Sequence, residues 1–60
     1  MMAKMVKIIT GEFTGHVKTG KTVSRAYDLT EAYIKTLALP ETVKTFLLNR
    51  LMIEFLIKTS

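Results

Sequence analysis

The 60-residue chain has no cysteine. Disulfides and thiolate zinc sites are therefore excluded, which removes two of the staples that small domains rely on. It has no tryptophan and one histidine, His16. A single imidazole without thiols supplies neither a metal-ligand set nor a Cys and His dyad. Proline occurs once, at position 40, and glycine three times, at 11, 15 and 20. No linker, low-complexity tract or internal repeat interrupts the chain, so residues 1–60 read as one domain. Long hydrophobic runs are also missing. Asn49, Arg50 and Glu54 break the most apolar stretch, well short of the roughly 18 to 20 residues of a membrane span. Met1 to Thr10 carries Lys4 and Lys7 among its apolar residues and does not resemble a signal peptide. A cytoplasmic protein without membrane contact is expected.

Apolar residues make up 48% of the chain, and its mean hydropathy is +0.26. That is rich for a body with so much surface relative to volume, and it implies apolar surface left for a partner. Nine Lys and Arg against five Asp and Glu give a net charge of +4. Such a balance attracts phosphate backbones or acidic surfaces.

Val, Ile and Thr supply 18 of the 60 residues, and β-branched side chains favour extended backbone. The spacing predicts a first strand from Lys4 to Thr10, with Val6 and Ile8 on one face. A glycine-punctuated loop from Gly11 to Gly20 follows, then a strand from about Lys21 to Tyr27 and a turn at Asp28 to Thr30. Glu31 to Leu39 and Thr42 to Leu48 read as further extended runs separated by Pro40. The clearest alternation comes last: Leu51, Ile53, Phe55 and Ile57 face one way, Glu54 and Lys58 the other. The competing helical reading uses Asp28 and Glu31 as a capping box, Leu29, Ala32, Tyr33 and Leu37 as a stripe, and Pro40 as a helix start. It would place Arg50, Glu54 and Lys58 in favourable four-residue pairs. It would also put Lys44, Arg50, Glu54 and Lys58 on the arc of Val43, Leu47 and Leu51, charging a buried face. The extended pattern accounts for more residues.

Val6 to Thr10 followed by Gly11, Phe13 and Gly15 resembles the opening of a KOW motif, an element of NusG-type transcription factors and several ribosomal proteins. Tyr33-Ile34-Lys35, Leu39-Pro40-Glu41 and Val43 to Leu47 continue the pattern, with Leu48-Asn49-Arg50 as a short helical turn and Leu51 to Phe55 as the closing strand. After Gly15 the family's next glycine and valine arrive late, at Gly20 and Val23, which a loop insertion reconciles. The resemblance implies an all-β fold, a small five-stranded SH3-like barrel. The alternative architecture is α+β, with an N-terminal hairpin and two C-terminal helices.

Chemistry is sparse. Ser24 or Ser60 with His16 would need a pocket that 60 residues do not offer. Gly15 and Gly20-Lys21-Thr22 fit the spacing of a phosphate-binding loop, but that motif needs a helix after it, and Val23 to Tyr27 reads as a strand. No catalytic residue, cofactor, metal or small-molecule substrate is expected. The basic set His16, Lys18, Lys21 and Arg25 is the main candidate site. It reads either as a solvated loop or as a phosphate-capturing patch, with Phe13 or Tyr27 to stack on a base. Lys44 and Arg50 form a secondary group. Leu48, Met52 and Leu56 read either as the floor of the core or as a protein-docking or dimer surface.

The expected function is that of a small non-enzymatic module on a nucleoprotein machine such as RNA polymerase or the ribosome, bound through RNA, DNA or protein. Two alternatives belong to other classes: a protein-interaction factor or inhibitor from a virus or mobile element, and a dimeric ribbon-helix-helix DNA binder pairing through Thr22 to Tyr27.

Overall fold

The computed structural model describes residues 2–60 and consists of three α-helices: α1 (Met2–Lys18), α2 (Val23–Thr36) and α3 (Glu41–Thr59). Among the described residues there is no strand. This corrects the all-β reading, the KOW barrel and the α+β alternative with its N-terminal hairpin. It also removes the ribbon-helix-helix arrangement, because its pairing strand, Thr22 to Tyr27, is instead the N-cap and first residues of α2.

Threonine explains why β-branched content misled. Nine of the 18 β-branched residues are threonines, whose hydroxyl can bond a carbonyl three or four residues back and so sit within a helix. Thr30 Oγ1 donates to the Ala26 carbonyl at 2.8 Å, Thr36 Oγ1 to Tyr33 at 2.7 Å and Thr59 Oγ1 to Phe55 at 3.0 Å. Thr22 serves at a helix end, where its side chain accepts the Arg25 amide at 3.1 Å as the N-cap of α2. The proposed capping residue Asp28 lies inside α2 instead. Pro40 does precede the first residue of α3, where its fixed φ of −59° suits a helix start.

Each helix turns one four-residue stripe inward: Ile9 and Phe13; Ala26, Thr30 and Ile34; Leu47 and Leu51, all at most 1% exposed. Val6, Val17, Val23, Tyr27, Val43 and Phe55 pack around them, half-buried. Thr30 is the one polar member of the buried set, and its bond to Ala26 satisfies the hydroxyl. Four-residue connectors, 19–22 and 37–40, force neighbouring helices to run antiparallel. Two contacts bear this out. Tyr27, early in α2, meets Phe55, late in α3, with ring centroids 5.0 Å apart at 63°. At the other end Lys44 Nζ, early in α3, donates to the Lys35 carbonyl, late in α2, at 3.1 Å. The longest dimension, 31 Å, is close to the ~28 Å that 19 helical residues span.

The final alternation has a different origin from a strand. Leu51 is buried and Phe55 half-buried, whereas Ile53 is 43% and Ile57 60% exposed. A helix with apolar residues on two faces reproduces a period of two over a short window. Arg50 and Glu54 do lie beside Leu47, as the helical wheel requires, but half-buried. Such side chains lay their alkyl stems along the core edge and keep their charged ends in water.

Candidate functional site

The basic set gathers at the junction of α1 and α2, and the junction is built by two helix caps. Gly20, with φ +98°, ends α1: its amide donates to Val17 at 3.1 Å and that of Lys21 to His16 at 3.2 Å. This pair of bonds is a Schellman motif, and the left-handed residue at its centre favours glycine. Thr22 then opens α2. Lys18, Lys21 and Arg25 are consequently held within eight residues around one tight turn, and all three are exposed. The antiparallel topology brings the C-terminal end of α3, with Lys58, to the same end of the bundle. The grouping of Lys58 with the others was not foreseen, since only a helical layout brings residue 58 back to residue 18.

Side-chain electrostatics distinguish these cations. Among the described residues Lys35 forms an ion pair with Glu31 at 3.9 Å and His16 Nε2 lies 3.6 Å from a Glu12 carboxylate oxygen, both one helical turn apart. No carboxylate of the described residues pairs with Lys18, Lys21 or Arg25. Lys21 Nζ reaches Thr19 Oγ1 at 3.5 Å. Beside them an open cleft of about 380 Å³ is lined by Gly11, Glu12, Gly15, His16, Thr19 and Lys21. Its floor is bare because the two glycines of α1 carry no side chain and nothing stands within 4 Å of where a Cβ would be.

Other candidate residues fall elsewhere. Phe13 has 0% exposure and is a centre of the core, so it offers no face to a base. Tyr27 is half-buried with its ring engaged by Phe55. Lys44 sits at the opposite end of the bundle, bonded to the Lys35 carbonyl near the end of α2, a role common for lysine near a helix C-terminus. Arg50 is half-buried on α3. Leu48 is half-buried against the core, while Met52 and Leu56 are exposed. Phe46, Ile53 and Ile57 join those two on the outside of α3. Spacings of three and four residues would have revealed them once the segment was read as helical.

The phosphate-loop spacing meets an altered context. A helix does follow Thr22, contrary to the strand expected there, but Gly15 to Lys18 belong to α1 and the segment is a helix end rather than a loop after a strand. No helix is long and apolar enough to cross a membrane, and no three acidic or histidine residues cluster as a metal site, both among the described residues. Comparison with protein-family models, with curated proteins and with solved structures returned no match.

Proposed function

We propose that the chain is a small non-enzymatic binding module that captures the phosphate backbone of RNA or DNA through the end of the bundle where α1 meets α2. The observation that carries this reading is the set Lys18, Lys21 and Arg25, exposed around one turn and without an acidic partner among the described residues. Helix electrostatics account for Lys18, which lies in the last turn of α1 where a cation complements the macrodipole. They do not account for Arg25. It occupies the first turn of α2, which contains no acidic residue, and a positive charge there opposes the dipole. An anionic ligand would offset that cost. The nucleoprotein machine expected from the barrel loses its ground with the barrel, and stacking by Phe13 is removed by its burial. The mode that remains is electrostatic and tolerant of sequence.

Binding to a short single-stranded or duplex oligonucleotide, followed across a range of salt, tests the reading. Replacing Lys18, Lys21 and Arg25 together by glutamine is expected to weaken binding at low salt and to flatten the plot of log affinity against log salt by roughly 2 to 3 units, at about 0.7 to 0.9 per phosphate released. A charge-matched control replaces Lys4, Lys7 and Lys35, which lie towards the other end of the bundle, and should change the slope less. Equal slopes for the two triple variants would mean that net charge alone is being read, and the proposed site would be wrong.

A further inference from the structure

Helix α3 carries more apolar surface than the bundle uses. Its inward side is the stripe Leu47, Leu51 and Phe55. Its outward side shows a second pattern: Phe46, Asn49, Ile53 and Leu56, spaced three, four and three residues apart, all exposed. This is the a and d spacing of a coiled-coil seam. Met52 and Ile57 are also exposed and occupy the positions flanking that seam on either side. Phe46, Met52, Ile53, Leu56 and Ile57 are between 42% and 60% exposed. At roughly 200 Å² for a large apolar side chain, they leave about 500 Å² on one face, the upper end for a monomer. Two such faces together reach the ~1,000 Å² at which a specific, weak interface begins.

We infer that a second copy of this chain covers the face, with the two α3 helices side by side, parallel and in register about a two-fold axis. Three features select this occupant and orientation. The single polar seam residue, Asn49, at a d position, then meets Asn49 of the second copy, where the amide of each can hydrogen-bond the other. Met52 on one flank meets Ile57 of the second copy, five residues on, so the flanking apolar groups cover each other. Arg50, the charged flanking residue, faces Thr45 of the second copy rather than a like charge. An antiparallel pairing that kept seam against seam would instead set Phe46 against Leu56 and Asn49 against Ile53, leaving the Asn49 amide facing an apolar side chain.

Sedimentation of the intact chain from about 1 to 500 μM should show a monomer passing to a dimer, with a dissociation constant in roughly the micromolar range. Leu56→Glu, at an exposed position, should abolish the dimer over that range while circular dichroism stays unchanged. Asn49→Leu should tighten association at least tenfold, because Asn49 stands at a d position, where leucine favours a two-stranded seam. The absence of native cysteine makes cross-linking unambiguous: Asn49→Cys and Leu56→Cys should each form a disulfide with its own counterpart on mild oxidation. A chain that stays monomeric to 500 μM overturns the proposal, and so does one that remains monomeric while binding phosphatidylglycerol vesicles through this face. Cross-linking at position 49 but not at 56 overturns the parallel register.

Discussion

Replacing Phe13 by alanine is expected to leave the chain largely unfolded in water. Phe13 is fully buried and belongs to the same core as Ile34, Leu47 and Leu51 from the other two helices. Removing a buried phenyl ring costs about 3–5 kcal/mol through lost transfer energy and the cavity left behind. A single core below about 70 residues rarely supplies more than that in total. Far-UV circular dichroism should lose most of its helical signal, and a urea titration should show no native baseline. Had Phe13 been a solvent-facing contact in a loop, the same substitution would leave the spectrum intact. Retention of a cooperative transition with a loss under about 1 kcal/mol would contradict the packing described here.

The glycines of α1 lead to an effect of opposite sign. Gly11 and Gly15 lie inside a helix with ordinary backbone angles, and a Cβ at either would meet nothing within 4 Å. Glycine in a helix interior costs roughly 0.5–1 kcal/mol relative to alanine, chiefly through the entropy of the unfolded chain. Gly11→Ala with Gly15→Ala should therefore stabilise the protein by about 1–2 kcal/mol. For a domain of this size each kcal/mol raises the melting temperature by roughly 4–8 °C. In a barrel whose loop needed these residues for left-handed turns, the double variant would melt earlier. Thermal denaturation of the pair decides between the two with a change of sign.

Two boundaries of this architecture could be read in advance, whereas the stop expected at Gly11 and the cap expected at Asp28 fall inside helices. Pro40 marks the start of α3 as the helical reading had it, and Gly20 ends α1 where the glycine-punctuated segment stops. The interiors were harder to read. The buried stripe of α2 is Ala26, Thr30 and Ile34, and one of these three, Thr30, does not look like a core residue by hydropathy. The stripe chosen instead, Leu29, Ala32, Tyr33 and Leu37, is half-buried or exposed. Threonine counted as a strand former in the composition acts here as a cap and a helix back-bonder. In α3 the charges that argued against a helix sit at the rim of the buried face, and the apolar residues that argued for a strand sit on two opposite faces.

The basic cluster was legible as residues but not as a place. Lys18, Lys21 and Arg25 are close in sequence, so any fold would keep them near one another. Only the helical layout brings the end of α3 beside them and takes Phe13 and Lys44 away. The resemblance to a KOW opening rested on Gly11, Phe13 and Gly15. In a loop the two glycines would supply tight turns on either side of the aromatic residue, but on the helix only Phe13 turns inward while the glycines face solvent.

The two four-residue connectors bear on how quickly the chain reaches its native state. Each helix packs against its sequence neighbour across a short link, and most close residue pairs, those within the helices included, lie fewer than 12 residues apart along the chain. Only the pairing of the first helix with the third demands a longer closure. Proteins dominated by such local contacts cross their folding barrier in microseconds to milliseconds. With a single proline, held in the trans form, slow isomerisation has little hold on the reaction. Temperature-jump relaxation, rather than manual mixing, is the time window in which this chain's search for its native arrangement should be visible.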